Sequence, residues 1–151
     1  LLDPYREVQG LPDVAAEADA VYCSHDHFDH GCTENIRLTE GKTNPFAVKE
    51  VQTFHDDQGG ALRGRNVVRS FAAEGLTVAH LGDLGHQLSA SQLAELGRCD
   101  AILIPVGGFY TIDAAGAKAA ADAIGAKVVI PMHYRKGAVG FDVLGSIPRS
   151  R

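Results

Sequence analysis

Four residues that can bind a metal ion lie close together in the chain: His25, His27, Asp29 and His30. Imidazole nitrogen and carboxylate oxygen are ligands that zinc and similar divalent cations prefer. In a turn, His25 and His27 can face one ion while Asp29 and His30 face another. A catalytic zinc ion takes about three protein ligands and keeps a position open for water. These four residues therefore cannot complete two sites, and further ligands must come from other segments.

Further candidate ligands follow apolar segments along the chain. His55 follows Phe54, Asp83 follows a segment ending at His80, and His133 comes shortly after Ile130. Functional residues concentrate in loops at the ends of rigid elements, so we expect these three to complete the site. His80 is the alternative to His55 as a ligand, but its place within an apolar segment favours a role in orienting other ligands. His86 either supports the site, contacts the substrate or is exposed.

The elements that must position these residues form an alternating pattern in the second half of the chain. Short apolar or alternating runs predict strands at 19–23, 49–54, 67–71, 76–80, 101–104 and 127–130. The run at 101–104 is continuously apolar, which predicts a buried strand, and 127–130 is predicted to be another. The segment Ala73-Glu74-Gly75 suits a hairpin turn between the third and fourth runs, with Gly75 supplying the positive φ. Residues 31–48 contain Gly, Asn and Pro and predict a loop with one short strand.

Two helices are predicted from their capping residues. Ser89 and Gln92 form a capping-box pattern at the start of the first helix, and Gly97 is placed to end it. An alanine-rich helix follows Asp113 and ends at Gly125. Strands and helices together predict a single α/β domain over residues 1–151. Residues 135–151 show weak periodicity, so we expect that tail to be poorly ordered.

The composition is that of a globular protein. The chain has 151 residues, of which 45% are hydrophobic and 22% charged, and no apolar stretch is long enough to span a bilayer. The net charge of −5 argues against a protein that coats nucleic acid. Three cysteines cannot all pair within one chain, and the first residues lack a signal-peptide pattern. We therefore expect a cytoplasmic protein without nucleic-acid or membrane partners.

The histidine motif resembles the signature of the metallo-β-lactamase superfamily. Over residues 1–135 the chain is similar to compact predicted zinc-dependent hydrolases of that superfamily, relatives of the ascorbate-6-phosphate lactonase group. The resemblance rests on the segments Asp3-Pro4-Tyr5, residues 24–30, Thr53-Phe54-His55-Asp56, Arg63-Gly64-x-Asn66, residues 80–86, residues 105–111 and residues 130–134.

The resemblance implies a four-layer αββα sandwich with a site for two metal ions at the edge between its two sheets. His25, His27 and His55 would hold the first ion. Asp29, His30 and His133 would hold the second, and Asp83 would bridge both. The chain departs from the family pattern because no hairpin precedes Leu1 and the residues after Tyr134 do not match the usual ending. Residues 31–54 are shorter than in the lactonase, so its substrate is not carried over.

The predicted function is that of a metal-dependent hydrolase that cleaves an ester, lactone or phosphoester. Two divalent ions, zinc or alternatively manganese, would lower the pKa of a shared water so that it attacks as hydroxide. Asp29 would ligate an ion and also act in catalysis by orienting the nucleophile or passing on its proton. The expected partner is a small, anionic molecule. The candidate substrate-binding residues are Arg63, Arg65, Tyr110 and Tyr134.

Three other functions remain open at this point. A redox di-iron protein of the same fold favours a carboxylate at the position of His27, so the histidine argues for zinc or manganese. A nuclease of the superfamily usually carries a long insertion or a basic arm, whereas this chain is short and acidic. A catalytically inactive metal-binding remnant is the third alternative, and it follows from the departures at both ends.

Overall fold

A computed structural model describes residues 1–146 of the chain. Its elements form a small two-stranded sheet, a five-stranded sheet and two helices. In chain order they are β1 (Ala16–Ala18), β2 (Ile36–Leu38), β3 (Ala47–Phe54), β4 (Arg65–Ala73), β5 (Leu76–His80), α1 (Ala90–Leu96), β6 (Ala101–Pro105), α2 (Ala114–Ile124) and β7 (Val128–Met132). The predicted α/β class is confirmed.

The large sheet brings the ends of several strands to one edge. Its strand order is β3-β4-β5-β6-β7, and only the pairs that include β4 are antiparallel. Strands β3, β5, β6 and β7 therefore run in the same direction, and their carboxyl ends share one edge. His55 follows β3, Asp83 follows β5 and His133 follows β7, so the topology gathers these three residues from distant parts of the sequence.

The hairpin turn of the large sheet and the ends of both helices lie where the sequence predicts them. Glu74 and Gly75 both adopt positive φ between β4 and β5, as a two-residue hairpin requires. Ser89 and Gln92 form the predicted capping box of α1, and Gly97 caps its end. Asp113 caps α2, and Gly125 ends that helix in the left-handed conformation. These predicted elements are confirmed.

The core lies between the two helices and one face of the large sheet. Alternate residues of the strands point into it, including Val51, Val68 and Ile102, which are almost fully buried. Leu96 of α1 and Ile124 of α2 pack into the same cluster. Burial of a side chain of this size stabilises the fold by about 1.5–3 kcal/mol. This packing holds the strand ends that carry the candidate ligands.

The predicted strand at 19–23 is wrong. The nearest strand, β1, ends at Ala18 and pairs in parallel with β2. Tyr22 forms only an isolated bridge with Leu2. Residues 1–6 pair with the 19–23 segment at this one position, so no continuous strand pairing forms there. Residues 1–6 instead cross the loop that carries the histidine motif.

The prediction of a buried strand at 127–130 is also wrong in part. Strand β7 forms there, but Val128, Val129 and Ile130 are 45–52% exposed. Within residues 1–146, β7 is the last strand of the sheet and pairs with β6, so it has a neighbouring strand on one side. A continuous apolar run does not distinguish a central strand from an edge strand of this kind.

The segment after β7 makes several backbone contacts as far as it is described. Arg135 bridges to Ser146, Lys136 bridges to Val139, and Leu144 is buried. The expectation of a poorly ordered tail over 135–151 stays a prediction, and its residues 147–151 lie outside the described part. Within residues 1–146, neither helix is long and apolar enough to cross a membrane.

Candidate metal centre

The histidine motif occupies a tight loop that the start of the chain holds in place. The carbonyl oxygen of His27 accepts hydrogen bonds from the amides of both His30 and Gly31, which closes the loop on itself. Arg6 donates its amide to Phe28, and the amide of Cys32 donates to Pro4. These bonds fix the backbone, so that neighbouring side chains can point to one place.

His25, His27 and His55 form one group of candidate ligands. One nitrogen of each lies within 4.8 Å of the others. The imidazole ring centroids are 4.5–5.3 Å apart. Burial, together with the charge on His30, lowers the pKa of His25 to about 3, so that its imidazole is neutral near pH 7. A neutral imidazole is the form that binds a metal ion.

Asp29, His30 and His133 form a second group, whose candidate ligand atoms also lie within 4.8 Å of one another. Asp83 lies between the two groups. Its Oδ2 is 3.2 Å from Nε2 of both His55 and His133, and its Oδ1 is 3.3 Å from Nε2 of His30. The structure thus brings together all seven residues expected to bind metal ions, and the position of Asp83 suits a bridging carboxylate.

The buried polar atoms of this cluster fit a metal centre. Within the described residues, three buried side-chain atoms lack a hydrogen-bond partner, namely Nε2 of His25, Oδ1 of Asp83 and Nδ1 of His133. An unpaired buried polar atom costs about 1–3 kcal/mol. Burial would raise the pKa of Asp83, but the histidine contacts outweigh it and hold the pKa well below its usual value. A buried anion among imidazoles with unused nitrogens is the environment that a divalent cation completes.

Asp3 supports two of the candidate ligands. Its carboxylate accepts hydrogen bonds from the Ser24 amide and hydroxyl, both at 2.6 Å, and lies 3.0 Å from Nδ1 of His30. Ser24 Oγ in turn lies 2.9 Å from Nδ1 of His25. Burial raises the pKa of Asp3, but the hydrogen bond to His30 and the charge of His80 outweigh it. A carboxylate in this position fixes the ring orientation and tautomer of a metal-binding histidine.

Asp83 is held by a buried asparagine. The side-chain oxygen of Asn66 accepts the amide of Asp83 at 2.9 Å, and its nitrogen donates to Thr53 Oγ1 and to the Leu81 carbonyl. Gly82 adopts φ +55°, and a β-carbon there would lie 2.3 Å from Asn66 Oδ1. Only glycine therefore allows the chain to pass so close to Asn66 and to turn the carboxylate of Asp83 toward the histidines.

The geometry separates His55 from its alternative, His80. Nδ1 of His55 lies 3.1 Å from the Tyr110 carbonyl oxygen, which leaves Nε2 free to face the cluster. His80 belongs to neither ligand group; its Nδ1 accepts the amide of Gly82 and lies 3.9 Å from Asp3. His86 accepts the amide of Phe54 at 3.1 Å and so anchors the strand end before His55.

A cavity of about 280 Å³ opens over the cluster. Five candidate metal ligands line it, namely His27, Asp29, His55, Asp83 and His133, and the rest of its lining is Phe28, Arg63, Tyr110 and Phe141. The guanidinium of Arg63 lies 5.5 Å from the centre of the Tyr110 ring. Of the other two residues expected to bind substrate, Arg65 is exposed at the start of β4. Tyr134 lines a neighbouring cavity, which also contacts Asp29, His133 and Phe141.

Asp56 shapes the loop that carries Arg63. Its carboxylate accepts the backbone amides of Gln58, Gly60, Leu62 and Arg63 at 2.8–3.0 Å. Burial raises the pKa of Asp56, but these four hydrogen bonds outweigh it and lower the pKa to about 2. The loop between β3 and β4 is therefore built around one ionised side chain. The hydrogen bond from the Arg63 amide to that side chain fixes the backbone position of Arg63.

Several residues of the site were not assigned a role from the sequence. Asp3, Ser24 and Asn66 lie within segments that carry the family resemblance, which is the signal that points to them. Phe28 directly follows the candidate ligand His27, which suggests a place near the site. Phe141 lies in a segment without a recognisable pattern, and no feature of the sequence points to it.

Comparisons with known proteins give a consistent result. A family model described as a β-lactamase superfamily domain matches residues 1–133. A metal-dependent hydrolase of Methanoregula boonei is 44% identical over a match that covers 89% of this chain and 73% of that protein. A metal-dependent hydrolase of Archaeoglobus fulgidus is 34% identical over 99 residues, covering 62% of this chain and 43% of the relative. The chain thus spans less than half of that second relative.

The similarity extends to a solved structure. A crystal structure from Thermotoga maritima is described as a candidate Zn-dependent hydrolase of the metallo-β-lactamase superfamily. It is 40% identical to this chain with a TM-score of 0.72, and the match covers 95% of this chain and 70% of that one. The predicted fold family is confirmed by this likeness.

Proposed function

The chain belongs to the metallo-β-lactamase superfamily of metal-dependent hydrolases, and on that premise we propose that it cleaves an ester, lactone or phosphoester at a centre of two metal ions. The observation that carries the proposal is the position of Asp83. One carboxylate lies 3.2–3.3 Å from histidines of two separate ligand groups. That arrangement suits two ions that share Asp83 as a ligand better than it suits a single ion bound by three residues.

His25, His27 and His55 would hold one ion, and Asp29, His30 and His133 the other. Such ions, when bound, activate water at neutral pH and polarise the oxygen of the bond to be cleaved. Nitrogen and oxygen donors suit zinc and also manganese, and we propose zinc because the ligands are mostly imidazoles.

The chain's own residues bind the substrate and move the proton. Asp29 lines the cavity, with Oδ2 3.9 Å from Nε2 of His30. We assign it the task of orienting the attacking water and carrying its proton to the leaving group. Arg63, stacked on Tyr110, would bind an anionic group of the substrate through its guanidinium. The cavity, about 280 Å³ in volume, suits a small molecule.

The partner and location are parts of the same proposal. A net charge of −5 disfavours a nucleic-acid substrate. Cys23, Cys32 and Cys99 are all free thiols, which suits the reducing cytoplasm. We therefore propose a cytoplasmic enzyme that acts on small anionic molecules.

The test is hydrolysis before and after metal removal. The protein is stripped with a chelator, reloaded with zinc or manganese, and assayed on a lactone, an aryl ester and a phosphodiester. We expect activity only after reloading, lost in Asp29→Asn and retained in Asp57→Asn, whose carboxylate is exposed in the loop after β3. Equal activity of the stripped and reloaded protein would refute the proposal.

A further inference from the structure

The cavity over the candidate metal centre has two unlike walls. One consists of the phenyl rings of Phe28 and Phe141, which meet edge to face with centroids 6.3 Å apart. The other consists of Arg63 and Tyr110. The remaining lining residues are polar side chains of the ligand groups. A molecule that fills the cavity therefore meets both an apolar surface and a positive charge.

The apolar wall is held in place from two parts of the chain. Phe28 sits within the closed loop of the histidine motif. Phe141 is fixed by its neighbours, since Gly140 donates its amide to the Gln9 carbonyl and Phe141 accepts the amide of Leu144. Phe28 nevertheless remains 46% exposed. A large ring that is fixed, half exposed and directed to a polar cavity leaves apolar surface for a ligand to cover.

The charged wall contains a guanidinium group, that of Arg63, which has no ion-pair partner within residues 1–146. Within residues 1–146 the arginines that form ion pairs are Arg6, Arg37, Arg69 and Arg135, and Arg63 is not among them. Arg63 instead lies over the Tyr110 ring, a contact that orients the guanidinium without neutralising it. An incoming carboxylate or phosphate would supply the missing partner.

From these two walls we propose that the substrate is a small amphipathic anion. Its carboxylate or phosphate would bind at Arg63, and a phenyl-sized or branched alkyl group would pack against the joint surface of Phe28 and Phe141. The scissile bond would then lie between these groups, over the candidate metal ligands. A sugar is disfavoured because the walls offer its hydroxyls one guanidinium, one phenol and two phenyl rings. This inference deepens the proposed function and rests on it for the bond that is cleaved.

The test compares two probes that differ only in the apolar group. Phenylphosphonate and methylphosphonate are titrated by calorimetry into the zinc-loaded full chain. We expect the phenyl probe to bind roughly 10- to 50-fold more tightly, because the ring covers apolar surface that the methyl group leaves open. Phe141→Ala should reduce that preference to about threefold or less, and Phe141→Leu should retain part of it.

The control variant is Phe46→Ala. Phe46 is 47% exposed, close to the 46% of Phe28, and it lines a different cavity. It should leave the preference unchanged. Arg63→Gln should weaken both probes by a similar factor and leave their ratio intact. Equal affinities of the two probes, failure of both to bind, or a preference unaffected by Phe141→Ala would overturn the inference. Because the readout is binding, a retained preference without any hydrolysis would instead reject the proposed function alone.

Discussion

Replacing Asp3 by asparagine is expected to weaken metal binding although Asp3 belongs to neither ligand group. The Asp3 carboxylate is nearly buried and lies 3.0 Å from Nδ1 of His30. As an acceptor it keeps the proton on Nδ1 and leaves Nε2 bare toward Asp83. Asparagine can present its NH₂ group to Nδ1 instead. His30 would then carry its proton on Nε2, the atom that should bind the ion.

The magnitude follows from the bond that is lost. A hydrogen bond to a charged group contributes about 1.5–3 kcal/mol. At about 1.4 kcal/mol for each factor of ten, zinc affinity should fall roughly 10- to 100-fold. The same range is typical when a carboxylate that orients a metal-binding histidine is replaced. Because Ser24 also loses an acceptor for its amide or hydroxyl, the orientation of His25 should loosen as well.

The assay is a zinc titration against a competing chelator, combined with nitrogen NMR of the imidazole rings. The matched control is Asp122→Asn, since Asp122 is an exposed acid of α2 whose one ion pair within residues 1–146 is with Lys118. We expect control affinity equal to that of the unmodified protein, and a changed His30 tautomer in Asp3→Asn alone. An Asp3→Asn protein that binds zinc within twofold of the control, with the tautomer unchanged, would refute the reasoning.

Further expectations follow from the same geometry. His55→Ala should reduce zinc affinity more than His80→Ala, whose cost should be about 10- to 100-fold; chelator titration of both would reveal a reversed ranking. Arg63→Lys should raise KM roughly tenfold for an anionic substrate and leave kcat and the KM of a neutral analogue unchanged; equal losses on both substrates would assign Arg63 to loop structure. Burial lowers the pKa of His30, but the hydrogen bond to Asp3 and the charge of Asp83 outweigh it and raise the pKa above its usual value of 6.5. Below that raised pKa a proton competes with zinc for the His30 imidazole, so zinc affinity should fall as the pH is lowered from 8 to 6. A constant affinity over this range would contradict the assignment of His30 as a metal ligand.

Local features of the sequence predicted the elements that they control directly. The capping box at Ser89 and the positive-φ turn at Gly75 act within a few residues, and both helices and the β4–β5 hairpin formed where they were expected. The candidate ligands could also be found, because each follows an apolar segment and the parallel strands end at one edge. The strand at 19–23 failed because its formation depends on a partner, and Leu2 meets it only at Tyr22.

The residues that surround the ligands depend on long-range contacts that no local pattern reveals. Asp3 is 21 residues from Ser24 and 27 from His30 in the chain, yet it contacts both. The Phe28–Phe141 contact joins two residues that are far apart in the sequence. The sequence therefore predicted the residues that would bind a metal ion, but not those that hold them or that shape the cavity above.

The number of metal ions bound per chain tests the central claim most directly. Chelator-stripped protein is saturated with zinc, freed of excess, and analysed by elemental analysis together with anomalous scattering from a crystal. The account predicts two ions per chain, one at His25, His27 and His55 and one at Asp29, His30 and His133, with Asp83 between them. One ion or none at saturation, or an ion bound by His80 in place of His55, would contradict it.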